Sequence, residues 1–146
     1  MYAYEFDELT QDIQTLTSDC KHFDPEAIVA VARGGLIAAQ LLSYTLDVRN
    51  IQSIRIESYD QTRQRETITL YDTLDLSGCK RVLIVDDIID SGKTLEYLIN
   101  HLKHRYPDLI FKSAAIYYKN SACIQPDFTC KEATGWISFF WECELS

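Results

Sequence analysis

The sequence predicts an α/β protein whose sheet is mainly parallel, twisted and flanked by helices. Short apolar runs alternate with segments that have helical periodicity, and this strand-helix-strand order is typical of parallel sheets. With 146 residues, of which 47% are hydrophobic, the chain can bury one sizeable core. We therefore expect residues 1–146 to form a single domain.

The first half of the chain predicts a helix, a strand-turn-helix unit and a second strand. The opening helix has apolar residues at intervals of three and four, which places them on one face toward the core: Phe6, Leu9, Ile13, Leu16 and Cys20. The apolar run 27–32 predicts a buried strand, the glycines after Arg33 a turn, and 36–46 a helix. Alternating apolar and polar residues predict a strand over 51–59.

The second half begins with a polar stretch, residues 60–78, which has a weak strand signal at 67–71. We expect this stretch to be a mobile excursion that covers a binding site, since long irregular segments inside compact domains usually serve as lids. Next comes a strand predicted over 81–85, which residues 86–90 end, and a helix that opens at 91–94. A further strand is predicted over 110–118.

The segment 82–95, V-L-I-V-D-D-I-I-D-S-G-K-T-L, carries most of the chemistry. Its helix start offers unpaired backbone N–H groups and two hydroxyls, from Ser91 and Thr94, which favours a phosphate monoester. Gly92 allows the backbone to approach such a ligand closely. Open parallel sheets bind their ligands beyond the carboxyl ends of the strands, which is where this turn lies.

Three acids precede that turn. Asp86 and Asp87 are adjacent and would repel each other unless they met a cation or sugar hydroxyls, so the pair suggests a ribose with a magnesium ion. Asp90 lies closer to the phosphate cradle and could move a proton on a base. The simpler alternative is that all three only cap the helix, but a cap needs one acid.

A nucleoside triphosphatase is excluded by one position. Residues 92–94, Gly-Lys-Thr, match the end of the phosphate loop of those enzymes, but that loop requires glycine at the position of Asp87.

In its spacing the segment 82–95 resembles the phosphoribosyl pyrophosphate motif of type I phosphoribosyltransferases. Over nearly the whole chain the sequence is similar to the bacterial xanthine-guanine enzymes of that class, through A-R-G-G-L at 32–36, S-Y-D at 58–60, Arg65, Lys119 and W-I at 136–137. The resemblance implies the type I fold with a small hood built from the terminal segments.

The resemblance also implies roles for the residues on the sugar side. Asp86 and Asp87 would hold the ribose hydroxyls and Mg²⁺, and Asp90 would be the acid/base group. Arg33 and Gly34 would form the pyrophosphate loop, with a cis peptide before Arg33, and Arg65 would close over pyrophosphate. The 5-phosphate would be cradled by four consecutive residues: Ser91, Gly92, Lys93 and Thr94.

On the base side, the resemblance implies that Lys119 donates to the 6-oxo group of a purine, which predicts a preference for oxopurines over adenine. Trp136 would stack on the base. Ile137 would meet the exocyclic 2-position through its backbone. Glu142 replaces the aspartate of the family pattern near that position, so the choice among guanine, xanthine and hypoxanthine stays open.

We therefore expect a purine-salvage enzyme that makes a nucleoside 5′-monophosphate and pyrophosphate from phosphoribosyl pyrophosphate. A transferase for another base is one alternative, and a regulatory protein that senses phosphoribosyl pyrophosphate and binds RNA is another. The net charge of −8 disfavours a nucleic-acid partner. The acidic N-terminus and the lack of a long apolar run predict a cytoplasmic protein, and by resemblance a homodimer or homotetramer.

Overall fold

The computed structural model describes residues 1–62 and 65–143, with the backbone alone for residues 60–62 and 65–66. Three helices and eight strands lie in this part of the chain. The helices are α1 (Phe6–Cys20), α2 (Leu36–Thr45) and α3 (Lys93–Arg105). The strands are β1 (Tyr2–Tyr4), β2 (Ala27–Ala32), β3 (Ile51–Thr62), β4 (Arg65–Tyr71), β5 (Arg81–Ile89), β6 (Ile110–Tyr118), β7 (Phe128–Glu132) and β8 (Ile137–Phe139).

Six strands form one sheet in the order β4-β3-β2-β5-β6-β7, and every neighbouring pair except β3 and β4 is parallel. Helices α1 and α2 pack on one face, around Leu9, Leu16 and Leu42. Helix α3 covers the other face with Leu98 and Leu102, both fully buried. Burying a side chain of this size contributes about 1.5–3 kcal/mol, so α3 is held mainly by its apolar stripe.

The predicted α/β class with a mainly parallel sheet is confirmed, because four of the five strand pairs of the six-stranded sheet are parallel and helices cover both of its faces. Strands β2 and β6 have the bounds that their apolar runs predict, and α2 ends at Thr45, one residue early. One residue departs from the predicted core face of α1: Phe6 is 59% exposed and meets Phe140 edge-on at 6.1 Å.

The prediction that residues 60–78 are irregular is wrong for the first part of that stretch, whereas residues 72–78 contain no helix or strand, and the expected mobility and covering role stay predictions. Strand β3 continues to Thr62 and pairs antiparallel with β4, and the chain then returns to the core through Leu74 and Leu76, which are buried. Residues 67–70 alternate between threonine and an apolar residue, which is a short pattern and a weak strand signal on its own. Pairing with β3 supplies the cross-strand contacts that stabilise the hairpin.

The predicted end of the strand before the acids is also wrong. Strand β5 runs to Ile89, and its register with β6 extends to the pair Ile89 and Tyr118. Asp86 and Asp87 are therefore strand residues, because the ladder to β6 continues past Val85 and holds their backbone extended.

The segments near the two termini meet in a second, two-stranded sheet. Strand β1 pairs in parallel with β8, Tyr2 opposite Ile137 and Tyr4 opposite Phe139. This small sheet forms the hood that the resemblance implies. It brings the residues after β8 to the carboxyl ends of β2 and β5. Among the described residues, no helix is long and apolar enough to cross a membrane.

Candidate functional site

The carboxyl ends of β2 and β5 frame a cavity of about 750 Å³. Arg33 and Gly34 lie on one side of it, Asp86 and Asp87 form its floor, and Glu142 comes from the segment after the hood. Parallel strands end at the same edge of the sheet, which is why residues so far apart in sequence meet here. The peptide between Ala32 and Arg33 is cis, as the resemblance implies.

The two glycines after Arg33 make this close assembly possible. A Cβ atom at position 34 would clash with the Asp87 carboxyl, and one at position 35 would clash with the carbonyl oxygen of Val85. The turn between β2 and α2 therefore lies directly against β5 because neither residue carries a side chain.

The two adjacent acids at the floor of the cavity have unusual environments. The backbone N–H of Asp87 donates to Asp86 Oδ1 at 2.8 Å, and that of Ile88 donates to Asp87 Oδ1 at 2.7 Å. Removal from water, with repulsion from Asp87, raises the pKa of Asp86 well above its ordinary value. Burial also raises the pKa of Asp87, against the lowering effect of its hydrogen bonds.

The carboxylates at this cavity suit a magnesium ion that takes most of its ligands from substrate and water. Among the described residues no group of three or more His, Cys, Asp or Glu side chains is arranged to hold a metal. Asp86 and Asp87 are adjacent carboxylates that line the cavity, and Glu142 lines it from another segment. Magnesium is commonly bound through one or two carboxylates together with substrate oxygens, so this pair fits the ion.

The turn between β5 and α3 packs on the chain's own backbone at residues 123–124 and opens helix α3. Gly92 has a φ of 82°, in the left-handed region, and a Cβ there would lie 3.0 Å from the backbone nitrogen of Ile124. The Ser91 hydroxyl accepts from the N–H of Lys93 at 3.2 Å, and Lys93 is the first residue of α3. The first N–H groups of a helix have no intrahelical partner and carry the positive end of its dipole, so an anion is stabilised here.

Asp90 lies beside this turn, next to the residue predicted to recognise the base. Lys119 Nζ forms an ion pair with Asp90 Oδ1 at 2.9 Å, and the backbone N–H of Lys119 donates to the carbonyl of Ile89 at 3.0 Å. The Asp90 side chain is 67% exposed and thus accessible to a ligand. An accessible carboxylate and an ammonium group at 2.9 Å can together hold a polar ring that has both an acceptor and a donor.

Glu142 and Trp141 close the far side of the cavity. Glu142 is exposed overall, but partial removal from water, with repulsion from Asp87, raises the pKa of its carboxyl, and both residues line the same cavity. The Trp141 indole Nε1 is buried and has no hydrogen bond of good geometry in the described part of the structure. It lies near enough to the Asp87 carboxyl to lower the pKa of that group, against the larger effect of burial.

Trp141 is the residue near the site to which the sequence assigned no role. Its signal was present but weak: an indole carries one N–H that needs a partner when it is buried, and Trp141 precedes the acidic Glu142.

The structure does not place all of the predicted base-side residues in one cavity. Trp136 is 71% exposed and lines a second cavity, of about 530 Å³, together with Ile137, Tyr117 and Lys131. Its backbone carbonyl accepts from the N–H of Tyr2 at 2.9 Å, which fixes the start of the hood. The side chain of Arg65, predicted to bind pyrophosphate, lies outside the part of the chain whose side chains are described.

Comparison with known proteins decides the family. The model of the phosphoribosyl transferase domain matches residues 5–146. The chain belongs to the phosphoribosyltransferase family.

Relatives within the phosphoribosyltransferases are similar along almost the whole chain. The xanthine-guanine phosphoribosyltransferase of Ruegeria sp. TM1040 is 32% identical over 158 aligned positions, which cover 99% of this chain and 86% of that protein. The enzyme of Cereibacter sphaeroides with the same name is 37% identical over 82% of this chain and 70% of its own.

Solved structures are also similar. The xanthine-guanine-hypoxanthine phosphoribosyltransferase of Helicobacter pylori superposes with a TM-score of 0.87 at 36% identity, over 97% of this chain and 93% of its own. A purine phosphoribosyltransferase of Pyrococcus horikoshii gives a TM-score of 0.86 at 30% identity, over 99% and 95% of the two chains. The predicted membership of the type I phosphoribosyltransferases, with likeness to the xanthine-guanine enzymes, is confirmed.

Proposed function

We propose that this phosphoribosyltransferase joins a 6-oxopurine to ribose 5-phosphate, with phosphoribosyl pyrophosphate as the sugar donor and pyrophosphate as the second product. The observation that carries the proposal is the contact between Lys119 and Asp90 at 2.9 Å, beside the N-terminus of α3. An ammonium donor for the 6-oxo group and a carboxylate for a ring proton then face the same base. The names of the relatives agree with this substrate class.

The sugar phosphate would be bound by the segment that ends β5. The backbone N–H groups at the start of α3 and the hydroxyls of Ser91 and Thr94 would hold the 5-phosphate, with Gly92 and Lys93 completing the cradle. Asp86 and Asp87 would accept hydrogen bonds from the ribose hydroxyls. Their raised pKa values mean that the charged carboxylates are disfavoured where they stand, so a cation or a hydroxyl donor would stabilise them.

Magnesium is the cofactor we propose, held by Asp86 and Asp87. When bound, it would neutralise charge on the pyrophosphate leaving group. The backbone of the Arg33–Gly34 turn faces the same cavity and would bind that group, with Arg65 as the proposed second cation. Breaking the bond between the anomeric carbon and pyrophosphate builds positive charge on the sugar and negative charge on the leaving group. Donors that bind the leaving group therefore stabilise the transition state.

On the base side, Lys119 would donate to the 6-oxo oxygen and Asp90 would hold or accept the proton of the ring nitrogen that the reaction uses. We propose that Trp136 stacks on the base and that the Ile137 backbone and Glu142 face the exocyclic 2-position. Trp136 is exposed and lines a different cavity from that of Glu142, so its stacking on the base stays a prediction.

The test is production of nucleoside 5′-monophosphate from phosphoribosyl pyrophosphate with guanine, xanthine, hypoxanthine, adenine and uracil in turn, each with and without magnesium. We expect product with one or more of the three 6-oxopurines, and only with the metal. Product from adenine or uracil in preference to all three would contradict the assignment of Lys119. Binding of phosphoribosyl pyrophosphate without product from any base would favour a sensing protein instead.

We also propose that the enzyme is a cytoplasmic homodimer or homotetramer, by likeness to its family. Helix α2 supports self-association, since Leu36 and Tyr44 are 42% and 78% exposed on it. Light scattering on the purified protein gives the mass in solution, and a monomer at micromolar concentration would contradict this part of the proposal.

A further inference from the structure

The hood carries a chain of buried contacts that ends at the sugar-binding aspartates. It begins at Tyr4 in β1, which is fully buried and donates its hydroxyl to Asp12 Oδ2 at 2.6 Å. Lys131 Nζ approaches the same oxygen of Asp12 at 3.1 Å and also pairs with Glu8 at 3.3 Å. Asp12 is thus a buried carboxylate with a cation and a hydroxyl donor, and it fixes the position of the Tyr4 ring.

Three aromatic rings then fix Trp141. Phe139 stacks on the indole at 4.7 Å with an interplanar angle of 12°, and Tyr4 and Phe140 meet it edge-on at 6.0 and 5.0 Å. A ring with one stacked and two perpendicular neighbours has little rotational freedom, because each alternative orientation would overlap one of them.

The fixed indole leaves its one polar atom at the cavity. Nε1 of Trp141 is buried without a hydrogen bond of good geometry in the described part of the structure, and Trp141 lines the same cavity as Asp86 and Asp87. A buried donor with a poorly placed partner costs free energy, so a small shift of the Asp87 carboxyl that completes the bond is favourable.

We propose that Trp141 is a positioning residue whose indole N–H orients the Asp87 carboxyl for the ribose and its metal, and that the Tyr4–Asp12 hydrogen bond holds the indole in place. This proposal rests on the assignment of Asp87 to the sugar, given above. It links the N-terminal strand and α1 to the sugar site, although neither contributes a residue that touches the substrate.

A spectroscopic test needs no activity. The chain has 2 tryptophans, so the ¹H–¹⁵N spectrum contains two indole signals, and Trp136→Phe assigns them. We expect Asp87→Ala to shift the Trp141 signal and to speed its exchange with solvent, while Asp90→Ala, which removes an exposed acid of the same strand end, leaves it in place. Equal responses to the two alanine variants would overturn the proposal.

A kinetic test separates positioning from stability. Trp141→Phe keeps an aromatic, though smaller, ring and removes the N–H, and we expect the KM for phosphoribosyl pyrophosphate to rise about tenfold, as for the loss of a hydrogen bond to a charged group, with kcat and the purine KM little changed. Tyr4→Phe should give the same pattern at about threefold, since it acts through the indole.

The matched control is Tyr106→Phe. Like that of Tyr4, the Tyr106 hydroxyl makes hydrogen bonds in the protein interior: it donates to the carbonyl of Leu74 and accepts from the N–H of Leu76. It lies on the opposite face of the sheet. We expect it to lower the melting temperature as Tyr4→Phe does, without a change in any KM. An unchanged KM in Trp141→Phe, or the same KM change in Tyr106→Phe, would overturn the positioning role. A wild-type protein that makes no nucleotide but keeps the Asp87-dependent indole shift would refute the proposed function alone.

Discussion

The two sides of the site are built in different ways. Most of the sugar side comes from one continuous segment, residues 86–94, in which a strand, a turn and a helix start follow each other directly. The base side is assembled from Lys119 after β6 and from the hood, where β1 pairs with β8. Local chain geometry therefore fixes most of the first side, which the Arg33 turn and Trp141 complete, whereas long-range contacts decide the second.

This difference implies different sensitivities. A change on the sugar side should affect every substrate alike, because ribose phosphate is common to all of them. A change on the base side should alter the choice of purine. The predictions below test that division, beginning with the largest expected effect.

Replacing the proposed acid/base group should have the largest effect. We expect Asp90→Asn to lower kcat by about 100-fold or more with every accepted purine, since acid/base catalysis contributes at least that much. Asp90 is exposed, so the melting temperature should change little. Steady-state kinetics measure the effect, and full turnover in this variant would remove Asp90 from the mechanism.

Filling the space between the two strand ends should have the next largest effect. In Gly34→Ala the new methyl group would clash with the Asp87 carboxyl and force it aside. Overpacking costs of this kind correspond to a rise of about tenfold or more in the KM for phosphoribosyl pyrophosphate, whichever purine is used.

Gly135→Ala is its control, since a Cβ at position 135 meets nothing within 4 Å. If both alanine variants kept the KM of the wild type, the close approach of the Arg33 turn to Asp87 would have no part in sugar binding.

On the base side, Lys119→Met should lower kcat/KM for 6-oxopurines by about tenfold or more, because the 6-oxo group loses a charged donor. Discrimination against adenine should narrow, since the unpaired cation that opposes an amino group is gone. Lys112→Met removes a lysine from the other end of the same strand and should change neither quantity. A uniform loss with all bases would place Lys119 on the sugar side instead.

The same division explains how far the sequence could predict this protein. The segment around Asp86 and Asp87 was assigned because its residues are neighbours in sequence as well as in space. The hairpin of β3 and β4 was missed because its strand signal depends on the partner strand. The pairing of Tyr4 with Phe139 and the position of Trp141 depend on contacts between the two ends of the chain, which no local pattern records. Even so, the resemblance to the family predicted that a hood exists.

The smallest expected effects are on stability. Replacing Asp86 on the sugar side and Asp12 in α1 should change the free energy of unfolding with opposite signs. Removal from water and repulsion from Asp87 raise the pKa of Asp86, so the folded state binds its proton more tightly than the unfolded state does. Stability is then greatest below the ordinary aspartate range and falls as the pH rises through the raised pKa. Asp86→Asn removes this dependence and should increase the free energy of unfolding at neutral pH by about 1 kcal/mol, with loss of sugar binding.

Asp12 offers the opposite case, because its buried carboxylate has Lys131 and the Tyr4 hydroxyl as partners. Asp12→Asn leaves the Lys131 ammonium with a weaker partner in a half-buried position, so we expect a loss of about 1–2 kcal/mol at neutral pH. Urea unfolding of both variants at pH 5 and pH 7.5 measures the two signs. If both substitutions destabilised the protein, the aspartates of the sugar side would be stabilising in the ligand-free state, and the cation or sugar would not be needed to relieve them.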